Sequence, residues 1–141
     1  MERRIISADL MKFMSMFESV TKVGLKDCFV DESTDTLTFI VSPGKVGKAL
    51  GKSASNIRTL EKRLNRRVKI AEYSEDVKTF IKSLLLPLRV EHISEIEEGV
   101  YQIEAPDHKT RGVIIGRSAV NLRNLEKNVR RFFDVKEIKV V

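Results

Sequence analysis

The sequence has one cysteine, Cys28, no tryptophan and three prolines among 141 residues. A single cysteine excludes an internal disulfide framework and a zinc site built from cysteines. The longest apolar stretch, residues 84–88, has five residues, whereas a membrane-spanning helix needs about 20. The first residues, Met-Glu-Arg-Arg, lack the apolar region of a signal peptide. We therefore expect a cytoplasmic protein that has no membrane partner.

Groups that could support catalysis are also few. The two histidines, His92 and His108, have no cysteine partner at metal-ligand spacing. The sequence contains neither a phosphate-binding Walker loop nor the glycine-serine-glycine elbow of a nucleophilic hydrolase. The sequence therefore predicts a protein that is not an enzyme, with no catalytic residue, no metal site and no cofactor.

Charge is abundant and unevenly distributed. The chain carries a formal net charge of +6. Residues 44–71 hold nine basic and one acidic side chain, and residues 109–131 hold seven basic and one acidic. The segment between these two blocks, residues 72–108, holds three basic and nine acidic side chains. Two separate basic blocks in an otherwise acidic chain indicate two surfaces that bind a polyanion.

The two basic blocks contain an internal repeat. Residues 51–62 read GKSASNIRTLEK, residues 116–127 read GRSAVNLRNLEK, and eight of the twelve positions are identical without a gap. Gly47 and Gly112 fall in the same register. The chain is therefore interpreted as two modules, with domains at 1–73 and 74–141 and no flexible linker between them.

Each module shows the same order of predicted elements. In the first, a helix between the candidate N-cap Ser7 and Gly24 precedes two strands, a short helix, a loop at Gly51, another helix and a third strand. The second module repeats this order, with Ser74 expected to cap its first helix and its first strand expected to begin near Leu88. This order predicts an α+β fold in which helices cover a three-stranded sheet.

The repeated motif resembles a known family. A glycine followed by a basic residue, lying between two short helices, is similar to the KH domain found in bacteria and archaea, which clamps single-stranded nucleic acid. The resemblance implies two tandem type II KH domains. The junction Tyr73-Ser74-Glu75-Asp76 between the modules is similar to NusA, and the length resembles the short archaeal NusA-like proteins. The implied function is the binding of nascent RNA in transcription termination or antitermination.

The loops depart from the family pattern at one position. A KH loop usually reads Gly-x-x-Gly, but Ala54 and Ala119 stand at the closing position. Alanine fits there without strain if its φ is negative, whereas a positive φ costs roughly 1 kcal/mol. Because both modules carry the same replacement, we interpret it as a tolerated variant.

The loops and the helices beside them supply the candidate RNA-binding residues. A glycine turn followed by the free N–H groups of a helix suits a phosphate, and basic side chains add Coulomb attraction. In the first module these residues are Lys45, Lys48, Gly51, Lys52, Ser53, Ala54, Asn56, Ile57 and Arg58. In the second module they are Arg111, Gly116, Arg117, Ser118, Ala119, Asn121, Leu122 and Arg123.

Several of these residues also have an ordinary structural interpretation. The two loop glycines could be helix C-caps, the two serines could be N-caps, and the two asparagines could shape a helix start rather than contact bases. Ile57 and Leu122 could belong wholly to the core. The sequence leaves these alternatives open.

Two classes of function remain open as well. The first is an RNA-binding transcription factor that acts as a monomer on single-stranded RNA, with RNA polymerase as a second candidate partner. The second is a protein-interaction scaffold, in which the KH folds dock on polymerase or the ribosome. Ribosome-associated RNA binding shares the chemistry of the first class. Competition by single-stranded RNA in a salt titration distinguishes RNA binding from a scaffold.

Overall fold

The computed structural model of the chain describes residues 8–141, and it divides into two compact units after Ser74. In the first unit one helix precedes two strands, and two helices lie between the second strand and the third. The elements are α1 (Ala8–Thr21), β1 (Leu25–Asp31), β2 (Thr36–Val41), α2 (Val46–Leu50), α3 (Ser55–Leu64) and β3 (Arg67–Glu72). The predicted order of elements is confirmed, while the cap candidate Ser7 lies outside the described residues.

The second unit repeats the same order. Its elements are α4 (Val77–Leu85), β4 (His92–Glu97), β5 (Val100–Glu104), α5 (His108–Ile115), α6 (Val120–Val129) and β6 (Glu137–Val140). In both units a three-residue 3₁₀ turn joins the short helix to the longer one, at Lys52–Ala54 and at Arg117–Ala119. The α+β prediction with two three-stranded sheets is therefore confirmed.

Both sheets have the same topology. The strand orders are β1-β2-β3 and β4-β5-β6. The first two strands of each sheet pair antiparallel, as at Cys28 opposite Phe39. The third strand runs parallel to the central one, with Phe39 opposite Ile70. A parallel pair needs a long crossover, and the helix pairs α2–α3 and α5–α6 provide it.

The core of each unit lies where helices meet the sheet. In the first unit the alternating residues Leu37, Phe39 and Val41 of β2 are fully buried, and the ring of Phe39 stacks on Phe17 of α1 with centroids 4.4 Å apart. In the second unit Phe80 of α4 packs edge-on against Phe132 at 5.2 Å. Helix α1 therefore packs an aromatic ring on its sheet, and helix α4 packs one against the segment that follows α6.

Three local expectations about element ends were wrong. The sequence predicts that α1 ends at Gly24, but the helix ends at Thr21 and is followed by Lys22 with a left-handed φ of 61°. Helix α4 is capped by Asp76, whose carboxylate accepts the Thr79 N–H at 3.1 Å, and not by Ser74. Strand β4 begins at His92 and not near Leu88. Each error moves a boundary by a few residues and leaves the topology unchanged.

Candidate nucleic-acid interface

The first loop is a sharp backbone turn between α2 and α3. Gly51 ends α2 with φ of 73° and ψ of 176°, and its N–H donates to the carbonyl of Gly47 at 3.2 Å. Two successive residues then adopt left-handed conformations, Ser53 at φ 53° and Ala54 at φ 57°. The N–H of Ala54 donates back to the carbonyl of Gly51 at 3.2 Å. This turn directs the residues between Gly51 and Ala54 out of the helices.

The second loop has the same backbone. Gly116 has φ of 75° and ψ of 175°, Ser118 has φ of 53° and Ala119 has φ of 61°. The closing alanines of both loops therefore take the strained alternative, with positive φ. Strain at non-glycine residues persists only where the surroundings determine it, and it is often found at binding sites. The same strain in both repeats indicates that the loop shape is maintained for a purpose.

Two asparagines hold the helix that precedes each loop. The side-chain amide of Asn56 donates to the carbonyl of Ala49 at 3.1 Å, and that of Asn121 donates to the carbonyl of Val113 at 2.8 Å. Both amides therefore satisfy carbonyls at a helix C-terminus that would otherwise lack partners. The sequence left open whether these asparagines shape a helix start or contact bases. Their hydrogen bonds give them a structural role, but at the end of the preceding helix rather than at a helix start.

The basic and hydroxyl side chains of the loops point into solvent. Lys52, Ser53, Arg117 and Ser118 are all exposed. The N-cap positions of α3 and α6 belong to Ala54 and Ala119. The N-cap interpretation of the two serines is therefore wrong, and their hydroxyl groups lie within the turn at solvent-facing positions.

The apolar positions beside the loops differ between the units. Ile57 is half-buried, whereas Leu122 is only 6% exposed and belongs to the core. The apolar surface beside the second loop comes instead from Val113 and Val120, which are 46% and 49% exposed. No motif in the sequence marks these two valines as candidates. The signal for Val120 was a departure from the repeat, since Ser55 holds that position in the first unit.

The flanking arginines also take different roles. A guanidinium nitrogen of the exposed Arg58 donates to the carbonyl of Ser53 at 2.6 Å, so Arg58 braces the first loop. Arg123, at the same repeat position, forms an ion pair with the buried carboxylate of Glu126 at 2.7 Å. Lys45 and Lys48 are exposed on α2 and its N-terminal flank, and Arg111 is half-buried on α5.

In the short helices α2 and α5, no contact of the described residues requires glycine at positions 47 and 112. Gly47 and Gly112 occupy the same repeat position and are exposed. A Cβ atom at either position would have no neighbour within 4 Å. Their φ angles are not in the positive range that favours glycine. Neither glycine is required by a positive φ or by a close contact, so α2 and α5 each leave backbone open at this position.

The described residues offer little for metal or membrane chemistry. Within residues 8–141 no group of three or more histidine, cysteine, aspartate or glutamate side chains is placed to hold a metal ion. In the same part of the chain, none of the helices has the length and apolar character needed to cross a membrane. The buried Cys28 lies in β1.

Comparison with known proteins agrees with this geometry. A family model described as KH domain matches residues 14–99. A "Probable transcription termination protein NusA" of Methanococcus vannielii is 30% identical over all of this chain and 81% of its own length. The protein of that name from Methanocaldococcus jannaschii is 29% identical, over 98% of this chain and 75% of its own.

A solved structure is similar in fold over nearly the whole chain. The crystal structure of APE1850 has a TM-score of 0.74 and 27% sequence identity, and the match covers 96% of this chain and all of that one. A further NusA relative, from Halococcus morrhuae, is 29% identical over 98% of this chain and 99% of its own. The similarity therefore covers most of the chain, in sequence for the NusA relatives and in fold for the solved structure. The chain belongs to the KH-domain family, and within it to the NusA-like proteins.

Proposed function

We propose that this protein is an RNA-binding transcription factor of NusA type, without enzymatic activity. It holds a single strand of nascent RNA through two KH loops and thereby affects termination or antitermination. The proposal includes two tandem type II KH domains at 1–73 and 74–141, an assignment supported by the parallel third strand of each sheet. The names of the archaeal relatives support the link to transcription termination.

One observation carries the proposal. Loops 51–54 and 116–119 share the same strained backbone, and each presents an exposed basic residue and an exposed serine at its tip. Basic side chains attract phosphate, and serine hydroxyl groups donate hydrogen bonds to its oxygens. Because the strain lowers stability without burying either tip side chain, folding alone does not account for the arrangement.

The glycines at positions 47 and 112 extend the candidate surface along the short helices. Without side chains, α2 and α5 each offer open backbone one turn before the loop. A nucleotide strand can approach a helix closely where no Cβ intervenes. The candidate RNA path therefore includes these glycines together with Lys52 and Arg117. Asn56 and Asn121 stabilise the helices before the loops, and Leu122 packs in the core.

The experiment is a competition between single-stranded and duplex RNA across a salt titration. For a single strand, the slope of log affinity against log salt is about −0.7 per neutralised phosphate, so two basic blocks that touch phosphates predict a slope of several units. Single-stranded RNA is expected to displace bound RNA better than a duplex of equal length. Equal affinity for both forms would contradict the KH clamp, and no RNA binding at low salt would favour the scaffold, with RNA polymerase as its first candidate partner.

A further inference from the structure

A cleft in the first unit lies beside helix α2 and is rimmed by lysines. Its volume is about 330 Å³, and its lining residues are Lys22, Val23, Gly24, Leu25, Ser42, Lys45 and Lys48. These residues come from the connection between α1 and β1, the residue after β2, and α2 with its flank. Leu25 is the first residue of β1 and pairs with Val41, the last residue of β2, so the cleft lies at the end of the sheet where β1 begins and β2 ends.

The charges around the cleft are mostly positive. Within residues 8–141, none of Lys22, Lys45 and Lys48 takes part in a salt bridge. One carboxylate approaches the floor, since Oε2 of Glu18 lies 3.7 Å from where a Cβ of Gly24 would be. A second carboxylate lies near the rim, since Oε2 of Glu72 accepts the N–H of Gly44, next to Lys45, at 3.1 Å. Three ammonium groups against these two carboxylates leave the cleft net positive, which favours an anion.

The backbone at Lys22 adds a second observation. Its φ is 61°, and its N–H donates to the carbonyl of Glu18 at 2.9 Å, so Lys22 is the left-handed residue that ends α1. Glycine or asparagine is usual at such a position. The Lys22 side chain is exposed, so no packing contact explains why lysine stands there.

The second unit has no basic residue at these three positions although its loop backbone is the same, and its basic residues in this region, Lys109 and Arg111, stand one position to either side of the Lys45 equivalent. In the repeat register Lys45 corresponds to Thr110 and Lys48 to Val113. The residue that follows α4, in the place of Lys22 after α1, is Leu86. The fold therefore does not need the three lysines, because the equivalent unit forms without them. Their presence is specific to the first unit.

We propose that this lysine cleft, formed by Lys22, Lys45 and Lys48, binds a backbone phosphate of the same RNA strand that the first loop holds. The inference rests on the proposed function and extends it. Lys48 precedes Gly51 by three residues, so the cleft continues the basic surface of the loop. A polyanion is the occupant that suits this site, because the rim offers ammonium groups and the lining has no aromatic ring for base stacking. The first unit thereby has a longer footprint on RNA and a steeper salt dependence than the second.

The test replaces the lysines with the residues that the second unit carries. The variant Lys45→Thr/Lys48→Val, and the variant Lys22→Asn, which keeps a residue tolerant of positive φ, are compared with the full parent chain. The control is Lys12→Gln/Lys82→Gln, which removes two exposed lysines from α1 and α4. The probes are randomised single-stranded RNAs of about four nucleotides, the length that one KH loop clamps, and of about ten.

For the longer RNA, the Lys45→Thr/Lys48→Val variant is expected to lower the salt slope by about one unit and to weaken binding at low salt by about tenfold. Lys22→Asn is expected to act in the same direction, and the control is expected to match the parent. For the four-nucleotide RNA all variants are expected to bind alike. If both cleft variants match the control on the longer RNA while Lys52→Asp weakens it, the cleft proposal is overturned and the loop function stands. If Lys52→Asp also has no effect, the proposed function fails as well.

Discussion

Gly51 lies so close to the side chain of Asn56 that any side chain at position 51 would collide with the Asn56 amide. A Cβ at Gly51 would lie 2.8 Å from Nδ2 of Asn56, the same nitrogen that donates to the carbonyl of Ala49. Gly116 and Asn121 repeat the relationship, at 2.6 Å. Glycine is therefore required at the start of each loop for two reasons. Its φ is positive, and the asparagine beside it is hydrogen-bonded to the preceding helix. This pair gives the loop its shape without any contribution from a ligand.

Two glycines four residues apart are expected to respond oppositely to alanine. Gly51→Ala places a Cβ against Asn56 and strains a backbone region that only glycine adopts readily, so we expect a loss of about 1–3 kcal/mol in the free energy of unfolding. Gly47→Ala meets no neighbour and improves helix propensity, so we expect stability to rise by up to about 1 kcal/mol. Urea unfolding measures both effects.

The same Gly47→Ala variant separates stability from RNA binding. Because the methyl group occupies the open backbone of α2, we expect it to weaken single-stranded RNA binding about tenfold, or 1.4 kcal/mol. Gly112→Ala is the matched change in the second unit, and the variant Lys12→Gln/Lys82→Gln, outside the short helices and the lysine cleft, is the control. If Gly47→Ala binds RNA as tightly as the parent, α2 is not part of the RNA path.

The closing alanines give a prediction about strain. Ala54→Gly and Ala119→Gly are each expected to raise the free energy of unfolding by up to about 1 kcal/mol. The positive φ of each residue is costly for alanine, and this cost exceeds the extra unfolded-state entropy of glycine. Chemical denaturation of the two single variants and the double variant checks this, with near-additive gains expected for separated sites. Destabilisation by glycine would show that the left-handed angles are not a source of strain.

Much of this arrangement could be predicted from the sequence. The repeat located both loops, and the alternation of Leu37, Phe39 and Val41 located the central strand of the first sheet. The end of α1 was missed because a lysine at positive φ leaves no pattern of its own. The true cap Asp76 was missed because Ser74, two residues earlier, belongs to the same class of capping residues.

The functional differences between the units were harder to predict. Ile57 and Leu122 are equivalent in the repeat, yet only Leu122 is buried in the core. Arg58 and Arg123 are identical, yet one braces a loop and the other pairs with Glu126. Such differences depend on packing several ångströms away, and no local pattern encodes them.

The two arginines are therefore expected to differ when each is replaced by alanine. Arg58→Ala removes the hydrogen bond to the Ser53 carbonyl, so we expect weaker RNA binding with stability almost unchanged. Arg123→Ala removes the partner of Glu126, which is 2% exposed, and we expect a loss of about 1 kcal/mol in stability. Denaturation and RNA titration of both variants distinguish these roles. If Arg58→Ala unfolds the first unit, or Arg123→Ala affects only RNA binding, the assignment is reversed.

Helix α5, which leads into the second loop, is expected to weaken in acid. The Asp107 carboxylate accepts the Thr110 N–H at 2.6 Å. The backbone and side-chain hydrogen bonds from Thr110 lower the pKa of Asp107 below its ordinary value of 3.8. The stabilisation is therefore present above that ordinary value and is lost as pH falls through the lowered pKa.

The variant Asp107→Asn keeps an acceptor that does not titrate. Its unfolding midpoint is expected to change less than that of the parent below about pH 4. The control Glu98→Gln changes an exposed carboxylate in the β4–β5 turn, and it is expected to follow the parent. If the unfolding midpoints of the parent and of Asp107→Asn change equally with pH, this cap does not contribute to acid stability.

The loops themselves can be altered singly. Lys52→Asp/Ser53→Asp changes the first loop and Arg117→Asp/Ser118→Asp the second. Aspartate tolerates the left-handed backbone at the serine positions, and exposed substitutions cost at most about 0.5 kcal/mol each. Each pair places carboxylates where phosphates are expected. RNA that spans one module is expected to lose affinity only when its own loop is changed, whereas longer RNA is expected to lose affinity with either, because linked modules share one strand at high effective concentration.

The most direct test combines all four substitutions in one chain. Affinity for a long single-stranded RNA is measured at low salt, and circular dichroism verifies that the protein is folded. If the two loops are the RNA clamp, the folded variant is expected to bind at least about a hundredfold more weakly than the parent, since four phosphate-facing groups become repulsive. If the folded variant binds the long RNA as the parent does, the loops are not the clamp, and a protein-docking scaffold replaces the RNA-binding account.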